Sequence, residues 1–215
     1  MRLKLALGDR AEWVKVFDPR AGGLFVATPT PPAVGDEVRV DLTLGEGGPR
    51  VILRGTVTWR RSASEDEAKN PPGCAVALSI EDREKINFLN GYVRGGLLNR
   101  REKRRLPLRL PVTYAGDADP VAATTRDVNE EGAFVVTSDP LAEGSAIKLV
   151  LTIPGRGDIA VSGQVSHTVI VDDGDVPGMG VRFTPAEGQQ ADLLAMVDEL
   201  EKAFLAGTLP VALID

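Results

Sequence analysis

The sequence is poor in the residues on which most enzyme chemistry depends. It has one cysteine, Cys74, and one histidine, His167. A single cysteine excludes an internal disulfide and offers no metal-ligand spacing. Aromatic residues make up 5% of the chain. Binding single-stranded nucleic acid calls for aromatics interleaved with basic residues, and the main basic run, RREKRRLPLRL (100–110), has none. No apolar run reaches membrane-spanning length. The opening MRLKLALGDRAEW is interrupted by Lys4 and by Gly8-Asp9-Arg10, which is too short for a signal-peptide core and lacks a small-residue cleavage site. No nucleophile is matched to a base, no metal set is present, and no glycine-rich phosphate loop precedes a helix. These absences lead to the expectation of a cytoplasmic, non-enzymatic protein with no cofactor, no nucleic-acid partner and no membrane insertion.

What remains is a soluble globular composition, 43% hydrophobic and 26% charged over 215 residues, long enough for two domains. Charge is unevenly distributed. Residues 1–99 are nearly balanced at +1, whereas residues 100–215 carry −7. Within that acidic half, Arg100, Arg101, Lys103, Arg104, Arg105 and Arg109 oppose only Glu102. An acidic background repels a long polyanion, whose binding needs many phosphate contacts. A concentrated basic patch can still hold a small anion, because screening confines its field to about 8 Å.

The chain is duplicated. DPRAGGLFVATPTPPAVGDEVRVDLTL (18–44) aligns without a gap on DVNEEGAFVVTSDPLAEGSAIKLVLTI (127–153), with ten identities in 27 positions, among them Asp18/Asp127, Gly23/Gly132, Phe25/Phe134 and Gly35/Gly144. GTVTW (55–59) then matches GQVSH (163–167), and PPGCAVALS (71–79) matches VPGMGVRFT (176–184). EVRVDLTL and AIKLVLTI alternate apolar and polar side chains, the signature of half-buried strands. With no βαβ alternation, the expected class is mainly β: two tandem six-stranded antiparallel barrels, each followed by a helix. The first helix is expected after Ser79, with Ile86, Leu89 and Val93 on its apolar face. The second is expected from a Thr184-Pro185-Ala186-Glu187 capping box, with Leu193, Leu194, Val197, Leu200 and Phe204 inward. Gly95-Gly96 breaks the first helix. The tail GTLPVALID fits neither copy.

Arg101-x-x-x-Arg105, then Leu106-Pro107 and Leu110-Pro111-Val112, then Asp127-Val128-Asn129-Glu130-Glu131-Gly132 and PGMGVRF (177–183), together resemble the PilZ family of bacterial cyclic di-GMP receptors. The resemblance spans roughly residues 99–204 and, through the repeat, makes the first copy a degenerate second domain. It implies residues 1–95 as a degenerate barrel without the arginine motif and 96–106 as linker and ligand-binding arm. Residues 107–206 then form a PilZ domain with its C-terminal helix, and 207–215 a tail. It further implies that cyclic di-GMP is bound by Arg100, Arg101, Arg105, Asp127, Asn129 and Gly132. The chemistry suits those roles: arginine forks onto phosphate or the guanine O6/N7 edge and stacks on purines. Gly132 suits a close approach or a positive φ. Asn129 stands where the family has serine, which is expected to weaken binding without abolishing it. The first copy has Arg20 at that position and no arginine pair before Asp18, so it should not bind the nucleotide.

Asp127 and Gly132 could equally be turn residues, since Asp18 and Gly23 persist where no arginine arm exists. His167 is matched by Trp59, which marks a packed or half-exposed strand position, and Cys74 is matched by Met179, which marks a small core hydrophobe. Two functions remain open. The first is a cyclic di-GMP receptor in which ligand orders the arm and alters the interdomain arrangement or docking to an unidentified protein effector, in motility or surface attachment. The second is a ligand-independent adaptor of two protein-interaction barrels. A homodimer is compatible with either.

Overall fold

The computed structural model describes residues 1–62, 71–93, 105–115, 119–170 and 176–215. The Gly95-Gly96 break and Arg100 to Arg104 lie outside the described residues. The chain divides into two compact units, Met1–Leu98 with Phe204–Thr208 and Asp215, and Asn99–Ala203 with Leu209–Ile214.

The first unit is a six-stranded sheet: β1 (Arg2–Leu7), β2 (Phe17–Asp18), β3 (Gly23–Ala27), β4 (Glu37–Leu44), β5 (Arg50–Arg61) and β6 (Gly73–Leu78), ordered β1-β4-β5-β6-β3-β2. Alternation decides which side chains enter the core. In β1, Leu3, Leu5 and Leu7 are buried while their neighbours are exposed. The sheet departs from the all-antiparallel expectation at one edge, where β1 runs parallel to β4. A parallel pair needs a long crossover, commonly through a helix, and here it includes α1 (Arg10–Val16). That helix starts at Asp9-Arg10-Ala11-Glu12, so the Gly8-Asp9-Arg10 interruption of the sequence is a helix start. Asp9 Oδ1 accepts from Ala11 N (2.8 Å) and Glu12 N (3.0 Å), and Glu12 Oε2 reaches back to accept from Gly8 N, a variant of the capping box. Trp13 on α1 is buried, stacks on Phe17 at 4.8 Å and donates to Asn90 Oδ1.

Asn90 belongs to α2 (Arg83–Val93), which follows a 3-10 turn (Ile80–Asp82) opened, as expected, by the Ser79 side chain. Its buried face is Lys85, Phe88 and Leu89, with Ile86 and Val93 only half-buried. The buried lysine has partners: Lys85 Nζ lies 2.8 Å from Asp82 Oδ1 and donates to Ile52 O at 2.8 Å, and Asp82 Oδ2 accepts from Arg54 N. On the sheet surface Asp41 is partly buried, which alone would raise its pKa. Hydrogen bonds from Arg39 and Arg2 outweigh that and hold the carboxyl below its ordinary value.

In the second unit β7 (Pro111–Ala115), β8 (Val121–Asn129), β9 (Gly132–Val136), β10 (Ala146–Ile153), β11 (Gly157–Val169) and β12 (Gly178–Phe183) close into a barrel, ordered β10-β11-β12-β9-β8-β7, with every pair antiparallel. The duplication is visible in detail. The β5–β6 ladder slips between Val57 and Trp59, and the β11–β12 ladder slips between Val165 and His167. Gly35 and Gly144 both adopt positive φ, and their N–H groups donate to Val57 O and Val165 O. Cys74 and Met179 are both fully buried, and burial pushes the Cys74 thiol pKa up.

The helix after the barrel, α3 (Gln189–Leu205), begins later than its capping signal predicts. Gly188 has φ +83°, a left-handed conformation, and Gln189 N donates to Ala186 O, so Ala186 to Gln189 form the turn that leads into the helix. Leu193, Met196, Val197 and Leu200 are buried, but Leu194 is exposed; positions 193, 196, 197 and 200 form the i, i+3, i+4, i+7 stripe, and 194 falls beside it. The tail is ordered as α4 (Val211–Ile214), with Leu213 O accepting from Arg109 N.

Candidate functional site

The segment that carries Arg105 is fixed by leucines. Leu106, Leu108 and Leu110 are all at or below 1% exposure, each burial contributing roughly 2 kcal/mol. Leu106 exchanges both backbone hydrogen bonds with Val128, and Leu110 does the same with Thr125 through its backbone oxygen and the Thr125 hydroxyl. This stitching runs the segment along β8 and sets Arg105 beside Asp127. Arg105 Nη1 donates to Asp127 Oδ1 at 2.6 Å. Two halves of the sequence motif, 22 residues apart, therefore meet in one ion pair.

Asp127 is 1% exposed, so its charge needs full compensation. Its other oxygen, Oδ2, accepts from Arg126 Nε at 3.1 Å. Arg126 owes its position to a bulge: Thr125 pairs with Val135 and Asp127 with Phe134, which leaves Arg126 as the extra residue. A bulge re-aims side chains at a sheet surface. The Arg126 guanidinium lies 3.8 Å above the Phe134 ring. Sequence reading misses this residue, because a bulge leaves no mark in an alternation pattern.

Asn129, at the serine position, has its Oδ1 accepting from Glu131 N. It closes the two-residue turn between Asn129 and its partner Gly132. Gly132 is needed for space, not for conformation. Its φ is not positive, and a Cβ there would collide with the Val181 carbonyl. Asp127 therefore lies within the strand, while Asn129 supplies the turn chemistry. Arg100 and Arg101 fall outside the described residues.

On the adjoining surface His167 is exposed. Its ring covers Gly180, where any Cβ would collide with it, and lies 6.0 Å from Phe134. Ser166 Oγ donates to Gly180 O and lies 3.1 Å from His167 Nδ1. Arg126 and His167 thus flank the buried Phe134 ring beside the Arg105–Asp127 pair.

The corresponding surface of the first unit is built otherwise. Asp18 Oδ1 accepts from Arg20 N (2.8 Å) and Ala21 N (3.3 Å), closing a turn. Phe17 aligns with Arg126 in sequence, Trp59 is 48% exposed, and Arg61 lies 5.5 Å from the Phe25 and Trp59 ring centres. A cavity of about 430 Å³ is lined there by residues that include Lys15, Phe17, Asp18, Phe25, Thr58 and Ala77. Among the described residues no cluster of three or more His, Cys, Asp or Glu could hold a metal ion. No described helix is long and apolar enough to cross a membrane.

The sequence matches the PilZ domain family twice, over residues 2–93 and 99–199. The chain belongs to the PilZ domain family, as a tandem of two such domains. None of the curated proteins compared matches it. Solved structures similar to it include the Bacillus subtilis inhibitor of motility MotI/DgrA, at 13% identity and TM-score 0.41, covering 84% of each chain. Escherichia coli YcgR in complex with c-di-GMP is similar at 12% identity and TM-score 0.41, covering 89% of this chain and 70% of that one. The K. pneumonia MrkH–c-di-GMP complex is similar at 15% identity and TM-score 0.41, covering 84% and 78%. At such scores these likenesses add nothing to the family assignment, which rests on the two matched spans.

Proposed function

We propose that this protein is a cyclic di-GMP receptor whose second domain binds the nucleotide through Arg100, Arg101, Arg105, Asp127, Asn129 and Gly132. One observation carries the reading. The buried Asp127 is paired at 2.6 Å with Arg105, the last arginine of the arm. The arginines grip phosphate oxygens or the guanine O6/N7 edge in a forked geometry. Asp127 orients Arg105 or accepts from guanine N–H groups, and Gly132 keeps the β9 backbone close to β12. The exposed His167 ring beside the pair offers a face on which a purine can stack. This is binding rather than catalysis. In this reading residues 1–95 form a degenerate domain, 96–106 the linker and arm, and 107–206 the receptor domain. Ligand orders the arm and alters the interdomain arrangement or the docking of a protein effector, in the motility or surface-attachment setting that the family resemblance implies.

An adaptor role for the first domain is favoured by the exposed Trp59 beside Phe25, since exposed aromatics are characteristic anchors of protein interfaces. Isothermal titration with cyclic di-GMP tests the receptor reading. The wild type should saturate, and Arg101→Ala/Arg105→Ala should lose on the order of 100-fold in affinity, two charge-assisted contacts at about 1.5 kcal/mol each. A silent wild type would leave the ligand-independent adaptor as the function of both domains.

A further inference from the structure

Asp127 has a second cation that lies outside the arginine motif, and the two copies of the repeat differ in having it. We infer that Arg126 is a positioning residue of the proposed cyclic di-GMP site: by holding Asp127 through Oδ2, it lets Arg105 leave the carboxylate for the ligand. The inference rests on the receptor reading of the second domain.

Three observations converge on Arg126. First, Asp127 divides its oxygens, Oδ1 to Arg105 and Oδ2 to Arg126. A ligand that takes the Arg105 guanidinium removes one counterion from a carboxylate that is 1% exposed. Without a second cation Asp127 would then be buried and unpaired, a heavily penalised state. Second, Arg126 is itself fixed. Its side chain is 14% exposed and its guanidinium lies over Phe134, itself 1% exposed. It is held by the barrel, whereas Arg105 extends from the arm. Third, the first unit acts as an internal control. There Phe17 aligns with Arg126 in sequence, but β2 is only Phe17–Asp18, with Asp18 opposite Gly23 as Asn129 is opposite Gly132, so no strand residue stands where Arg126 bulges, and among the described residues Asp18 bonds only to turn N–H groups. β3 pairs with β6 as β9 pairs with β12, so the first unit builds its sheet with neither an arginine immediately before this aspartate nor a bulge beside it. Arg126 accompanies the arginine arm.

The test joins titration with cyclic di-GMP to the unfolding midpoint of the ligand-free full chain, for wild type, Arg126→Gln, Arg126→Lys and Arg105→Gln/Arg126→Gln. In ligand-free Arg126→Gln, Arg105 still neutralises Asp127, so the midpoint should barely move while affinity falls about tenfold or more. Arg126→Lys should recover part of that loss, and the double variant should lower the midpoint by more than the single substitutions combined. Unchanged affinity in Arg126→Gln would overturn the inference. So would a midpoint that falls along with affinity, which would make Arg126 a structural residue; if Arg126→Gln fails to fold, Arg126→Lys supplies the same comparison. A wild type that binds nothing would overturn the receptor reading, and this inference with it.

Discussion

Asp18 and Asp127 occupy the same position of a duplicated sequence and do different work. Asp18 is an exposed turn residue whose carboxylate ties down two backbone N–H groups. Asp127 is buried within a strand and held by two arginines. The turn that Asp18 closes in one unit is closed by Asn129 in the other. Identity at an aligned position therefore reports common ancestry of the two copies, while the surroundings decide the role. The same holds for the glycines. Gly132 is pressed against Val181, whereas a Cβ on Gly23 would make only ordinary contact, 3.5 Å from Val76 O.

The contrast can be probed by substitutions, taken from the largest expected effect downward. Asp82→Ala leaves Lys85 buried without its carboxylate in the first unit, and should cost about 3–5 kcal/mol. Chemical denaturation should show the loss in the first domain's transition and not in the second's. Gly132→Ala overpacks the β9–β12 contact and should destabilise the second domain by about 2–3 kcal/mol, while Gly23→Ala should stay within about 0.5 kcal/mol. Equal costs for the two would erase the distinction drawn between these glycines. Asp127→Asn should weaken cyclic di-GMP binding roughly 30-fold, about 2 kcal/mol. Asp18→Asn should leave binding unchanged, since asparagine also accepts turn hydrogen bonds.

The smallest effect is one of pH. Asp41 is held below its ordinary pKa in the folded state, so the unfolded chain takes up its proton first as pH falls. The stabilisation is present in full above about pH 4, the ordinary carboxylate range, and is lost as pH falls through the lowered folded value. Because Arg2 is largely exposed, the contribution should be no more than about 1 kcal/mol. A melting series should show the gap between wild type and Asp41→Asn holding from neutral pH to about pH 4 and closing below it; a constant gap would show that the ion pairs do not set the shift.

Much of the fold is legible in the sequence. The repeat announces two β domains, and the alternating strands name their own buried faces. The resemblance to the PilZ motifs singles out Arg105 and Asp127, which the fold brings into one ion pair. What escapes has physical reasons. Alternation says which face of β1 is buried but not which strand lies beside it, so its parallel partner β4 is invisible. The bulge at Arg126 offsets a register that exists only once two strands are paired. Leu194 and Met196 differ by two positions on a helix that its capping motif starts too early, because Gly188 overrides that motif. The Asp9–Glu12 cap is written in the sequence, but Gly8 beside it gives it the look of a break.

The central claim is that the nucleotide site belongs to one copy of the repeat alone. Amide hydrogen exchange of the full chain, with and without saturating cyclic di-GMP, tests it most directly. The account predicts slower exchange over residues 105–110 and 126–136 and no change over 17–27. Protection over 17–27, or no protection in either copy, would contradict it.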